Sequence, residues 1–99
     1  MTTKGEILDF LAGNKDLLRV KFGVTKIGLF GSYAKDEQGE DSDIDLIVEF
    51  ENNTPNLFDV KRELKDYIKS KFNINVDIAR EKYLKPHFRS TILRETIYV

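Results

Sequence analysis

The run Asp43-Ile44-Asp45-Leu46-Ile47-Val48-Glu49-Phe50 restricts what this chain can fold into more than any other stretch. Side chains of a strand point alternately to opposite faces, so Ile44, Leu46, Val48 and Phe50 share one face while Asp43 and Asp45 share the other. The apolar face needs a core to cover it. The acidic face projects two carboxylates side by side, roughly 6–7 Å apart at their Cα atoms from the rise of a strand, able to converge on one point. Asn73-Ile74-Asn75-Val76-Asp77-Ile78-Ala79 repeats the phase, with Ile74, Val76 and Ile78 on one face and Asp77 on the other. Pairing of these two strands would set Asp77 beside Asp43 and Asp45. Three carboxylates in one spot repel one another unless a cation neutralises them, and an all-oxygen donor set suits magnesium.

The stretches between and before these strands read as helices. Thr3 and Glu6 form a plausible capping box, and Ile7, Leu8 and Leu11 follow at helical spacing until Gly13-Asn14, which predicts a helix over residues 3–13. Asn14 is placed to cap a second short helix with Leu17, Leu18 and Phe22 inward and Gly23 as its left-handed C-terminal residue. Val24–Phe30 reads as a buried strand ended by Gly31. Asn56 is placed to cap a longer helix whose apolar stripe is Leu57, Val60, Leu64, Ile68 and Phe72, with an Arg62–Asp66 pair on its outer side. The tail from Thr91 to Val99 fits a short helix or a final strand. Only Lys35–Ser42 is polar for long enough to be a real loop.

Composition narrows the functional classes. A chain of 99 residues with hydrophobic content of 40% is the size of one domain, residues 1–99. No segment reaches the roughly 20 apolar residues of a membrane helix, and the first ten residues lack a signal peptide's basic start and apolar middle, which predicts a soluble cytoplasmic protein. The absence of cysteine rules out disulfides and thiolate metal sites. Sixteen basic against seventeen acidic residues give no overall field to draw in a polyanion, so direct nucleic-acid binding is not expected.

Gly31-Ser32, at the end of the first strand, fits a phosphate-handling site. Gly31 allows a sharp turn and close approach of a ligand, and Ser32 is placed to cap a short helix through Tyr33-Ala34-Lys35, whose first amides would face an anion with Lys35 assisting. Phosphates beside a carboxylate-held magnesium are what an enzyme acting on a nucleoside triphosphate needs.

Gly31-Ser32, ten intervening residues and Asp43-Ile44-Asp45 together resemble the signature of the nucleotidyltransferase superfamily that includes DNA polymerase β. The length and the tail from Leu84 to Val99 are similar to its minimal nucleotidyltransferase antitoxins. The resemblance implies an α/β fold with a small mixed sheet, helices on one face and the carboxylate site on the other. It implies transfer of AMP from ATP to a hydroxyl, with two magnesium ions held by Asp43, Asp45 and Asp77, Asp77 serving the ion that activates the acceptor and taking its proton. In the antitoxin branch the acceptor is a tyrosine of a HEPN-domain toxin encoded nearby. One departure stands out: many members carry glycine where this chain has Asp36, which leaves Gly39 as the flexible position.

Other polar residues read more plainly. Glu40, Asp41 and Glu49 are expected at the surface, and His87 in a structural or partner-facing role. Lys82, Lys85 and Arg89 are expected as solvated bases, with contact to phosphates or an acidic partner as the alternative, and Arg80, beyond Asp77 where the chain leaves the sheet, is a slightly better phosphate candidate. Two further readings remain beside the enzyme: an antitoxin that works by covering its partner, and a small-molecule nucleotidyltransferase.

Overall fold

The fold, described here from a computed structural model covering residues 2–99, is a four-stranded mixed sheet with helices packed against it. Helices α1 (Lys4–Gly13) and α2 (Lys15–Phe22) lead into β1 (Val24–Phe30), a short α3 (Gly31–Ala34) and β2 (Ile44–Phe50). Then come α4 (Leu57–Phe72), β3 (Val76–Ala79), a 3-10 turn (Glu81–Tyr83), α5 (Pro86–Glu95) and β4 (Ile97–Tyr98). The sheet order is β3-β2-β1-β4. β1 runs antiparallel to both β2 and β4, while β2 and β3 run parallel with α4 as their crossover. A parallel pair needs such a connection, so the longest helix lies between the two aspartate-bearing segments for a topological reason.

The apolar phase of β2 works as its alternation requires. Ile44, Leu46, Val48 and Phe50 are buried in one cluster with Ile7, Leu11, Leu18, Phe22, Leu64 and Ile68 from α1, α2 and α4. At about 25 cal/mol per Å² of apolar surface removed from water, each such side chain contributes on the order of 2 kcal/mol. Thr3 caps α1 by accepting a hydrogen bond from the Glu6 amide at 3.2 Å, and Gly23 ends α2 in the left-handed region at φ 72°.

Several local expectations are corrected. Asn14 does not cap α2 with its side chain; its Nδ2 donates instead to the Phe10 carbonyl of α1 at 2.8 Å, closing the helix before rather than opening the one after. Asn56 likewise makes no side-chain cap for α4 and serves through its left-handed backbone, φ 53°. Leu17 is exposed at 41%, because Leu18 and Phe22 already fill the inward side of an eight-residue helix. Arg62 leans back to Asp59 at 3.6 Å rather than forward to Asp66. Asn73, in the left-handed region, terminates α4, so β3 starts only at Val76. The tail is both of its alternatives in succession, helix α5 and then strand β4.

The second face of the sheet is half covered, which sequence reading did not anticipate. Gly28, Ile47 and Ala79 form one row across β1, β2 and β3. A Cβ at Gly28 would stand 2.6 Å from Thr96 Cγ2 and 2.8 Å from Tyr98 Cδ1, so the missing side chain is what lets the C-terminal segment lie flat there. Ile47, the partner of Gly28 in this row, is fully buried although it shares its strand face with Asp45. No helix of the described residues is long and apolar enough to cross a membrane.

Candidate active site

The covered half ends one row before the carboxylates. Phe30, Asp45 and Asp77 are direct partners across β1, β2 and β3, and Asp43 precedes Ile44, whose amide donates to the Asn75 carbonyl at 2.9 Å. Parallel pairing in this register is what brings Asp77, 32 positions later, level with Asp45. Asp43 and Asp45 are half-buried, whereas Asp77 lies open to solvent on the edge strand.

Electrostatics mark Asp45 as the strained member. Burial pushes its carboxyl up to about 6 from the ordinary 3.8, and the charges of Asp77 and then Asp43 push in the same direction. A group that resists ionisation because of burial and like charges is one whose ionised form gains most from a nearby cation. Among the described residues, no three acidic or histidine side chains form a ready-made metal cage, although Asp77 and Asp43 lie near enough to Asp45 for their charges to act on it. The donor chemistry, carboxylate oxygen alone, is that of a hard divalent ion such as magnesium.

Gly31 stands against this group. Its φ is 78°, and a Cβ there would lie 3.0 Å from Asp45 Cγ and 3.2 Å from Asp45 Cβ. Two constraints therefore select glycine, a left-handed backbone and the space taken by the carboxylate. Ser32 sits in the first turn of α3 rather than at its cap, which is Phe30. The helix starts one residue earlier than its polar residues suggest because Gly31 itself makes the turn.

Lys35 is not brought to the carboxylates by any contact; its Nζ lies 3.7 Å from Glu37 and 4.0 Å from Glu95, in exposed pairs. Asp36, where the resemblance leads one to expect glycine, adopts φ 57° and pairs with Lys4 at 3.0 Å. Aspartate is among the few residues that tolerate this region, so the loop keeps a glycine-like turn without the glycine. Gly39 does not take over that role, since its φ is not positive. Asp36→Gly exchanges modest backbone strain against an exposed ion pair and a more flexible unfolded chain, terms of at most about 1 kcal/mol each and of opposite sign. The expected result is a melting temperature within a few degrees of wild type, measured by circular dichroism.

Arg80, a phosphate candidate from sequence, is already engaged. Its guanidinium donates to Glu49 Oε1 at 3.2 Å, and Glu49 Oε2 accepts from the Glu81 amide at 2.9 Å. Glu49 is thus a structural partner rather than a free surface charge. Glu81 in turn accepts from Lys26 at 2.8 Å and from the Tyr98 hydroxyl at 2.6 Å. These bonds hold the Glu81 carboxyl below its usual range and, after burial, help push the Tyr98 phenol up. Sequence reading missed this network because it joins four segments distant along the chain. His87 is exposed and packs edge-on to Phe88.

A sheet of this order, with a glycine turn leaving one strand beside two in-register aspartate strands, defines a nucleotidyltransferase. The chain belongs to that family: the nucleotidyltransferase domain model matches residues 13–99. Protein adenylyltransferase MntA of Thermococcus cleftensis is 41% identical over all of this chain and 98% of its own length. A solved minimal nucleotidyltransferase aligns over 97% of this chain and 95% of its own, at 30% identity and a TM-score of 0.77. A solved toxin–antitoxin complex with AMP-PNP shares the fold over 98% of this chain and 72% of its own, with a TM-score of 0.64 and 22% identity.

Proposed function

We propose that this chain transfers AMP from ATP to a tyrosine hydroxyl of a HEPN-domain toxin and acts as that toxin's antitoxin. The observation that carries the reading is the Asp45–Asp77 register beside Gly31, which sets the one pressured carboxylate between a glycine turn and an exposed second acid. The full-length likeness to a protein adenylyltransferase supports protein as the acceptor class. In the reaction the acceptor oxygen bonds to the α-phosphorus, the bond from that phosphorus to the bridging oxygen breaks, and pyrophosphate leaves with the bond's electrons.

The residues divide this work by position. Gly31 keeps the backbone clear for the triphosphate, and Ser32, in the first turn of α3, donates its hydroxyl to a phosphate oxygen. Asp43, Asp45 and Asp77 would hold two magnesium ions, which supply neutralisation of the phosphate charge and a lowered pKa for the attacking hydroxyl. Asp77, open to solvent, faces the acceptor and takes its proton. Lys35, drawn to Glu37 and Glu95, stays outside this set.

The test is incubation with magnesium and ATP labelled at the α-phosphate, with and without the product of the adjacent gene, beside an Asp43→Asn variant. Label on the partner that depends on Asp43 supports the reading. A partner that is bound and inhibited without acquiring label would replace it with an antitoxin acting by cover alone.

A further inference from the structure

On the side of the carboxylates away from Gly31 lies an open groove of about 340 Å³ between α4 and β3, lined by Asp43 and Asp77 and by Arg62, Lys65, Asp66 and Lys69 of α4. It continues, through the shared residues Arg62 and Lys65, into a second hollow of about 190 Å³ bordered by Lys61, Phe58 and Ile78. Phe58 is 81% exposed, an unusual state for a phenylalanine. The spacing explains the stripe: positions 58, 62, 65 and 69 recur at helical intervals on one side of α4, next to the buried row of Leu64 and Ile68.

We propose that this groove docks the acceptor polypeptide, and that it selects a segment with an apolar residue and acidic residues next to the acceptor hydroxyl. The inference rests on the adenylyltransferase reading and adds to it a preference in the acceptor. Strand order sets the geometry: a nucleotide held at the end of β1 by Gly31 and Ser32 leaves the β3 and α4 side for the second substrate. Charge is graded along the groove. The outer hollow is lined by Lys61, Arg62 and Lys65, of which only Arg62 pairs with an acid, Asp59, whereas the inner groove balances Asp43, Asp66 and Asp77 against Arg62, Lys65 and Lys69. A uniform polyanion such as a nucleic acid would meet net positive charge only in the outer hollow and would face Asp43, Asp66 and Asp77 in the inner groove. A peptide with a neutral hydroxyl residue inside, an apolar residue on the Phe58–Ile78 ledge and carboxylates on the outer bases matches each part.

Two labelled peptides of equal length test this, both with tyrosine followed by leucine, one continuing in glutamates and the other in lysines. Binding is followed by fluorescence anisotropy and AMP transfer by labelled ATP, so that docking is read even where transfer fails. Wild type is expected to bind the acidic peptide at least about tenfold more tightly at low salt, with the difference shrinking as salt is added. Combined Lys61→Gln, Arg62→Gln and Lys65→Gln should erase the preference while ATP affinity changes less than about twofold. If the triple variant melts early, Lys65→Gln alone should narrow the preference by about threefold. Equal binding of both peptides by wild type, a preference that survives the triple variant, or a loss of ATP affinity matching the loss of peptide affinity would each overturn the assignment. Absence of transfer with an intact peptide preference would count against the adenylyltransferase reading instead.

Discussion

Asp45→Asn is expected to make the protein at once inactive and more stable. In the proposed reaction AMP transfer should fall by on the order of 10³-fold or more, since the role proposed for Asp45, holding a phosphate-neutralising cation, contributes several kcal/mol to the transition state and each 1.36 kcal/mol is a factor of ten. Stability moves the other way. The carboxyl of Asp45 is raised to about 6 from 3.8, chiefly by burial. An acid whose folded value is raised favours the protonated form, so its ionisation costs stability progressively as pH rises from about 4 to 6, and the cost is complete above that. Two units correspond to about 3 kcal/mol, which solvent screening of a half-exposed side chain reduces to about 1–2 kcal/mol. In chelator at pH 8 the variant should therefore melt above wild type, and the gap should close by pH 4. Magnesium should raise the melting temperature of wild type and narrow the gap at pH 8. A variant that melts below wild type at pH 8 would show that Asp45 is an ordinary surface acid.

Gly31→Ala should damage both properties together. The methyl group would enter space held by the Asp45 carboxylate, in a backbone region that costs a residue with a Cβ about 1–3 kcal/mol. Relief requires the carboxylate to move, and a displacement of about 1 Å in a reacting group can cost 10²-fold in rate. Thermal melting and the labelled transfer assay read the two effects. Gly39→Ala is the control, because nothing lies within 4 Å of a Cβ there and its φ is not positive, so it should leave both near wild type.

The two variants also mark where sequence was sufficient. The alternation in Asp43–Phe50 told which side chains meet the core and which face away, because a period of two leaves no other arrangement for a strand with one apolar side. Gly23 and Thr3 were legible because their roles depend on immediate neighbours. Asn14, Asn56 and Ser32 misled in proportion to the freedom of their types: each is a common cap, but each also fits a left-handed turn, a C-terminal bond or a first helical turn, and the surrounding packing chose among these. The row Gly28–Ile47–Ala79 and the Glu49–Arg80 bond joined segments that nothing local relates, so the half-covered second face was invisible. The site shows the same division. Its candidate residues were named from spacing and resemblance, whereas the burial that raises Asp45 depends on packing in three dimensions.

The placing of β4 beside β1 bears on the order in which the molecule can form. Gly31, Asp43, Asp45 and Asp77 all belong to a continuous stretch whose pairings, β1 with β2 and β2 with β3, close over short or helical connections. The Leu29–Ile97 pairing has to close across most of the chain, and the entropy of such long closure makes it a late event. The carboxylate face can therefore take shape first, with the C-terminal segment settling on its neighbouring rows afterwards. Until Tyr98 and Thr96 reach Gly28, that stretch of β1 stays open to water, on the same face of the sheet that carries the carboxylates.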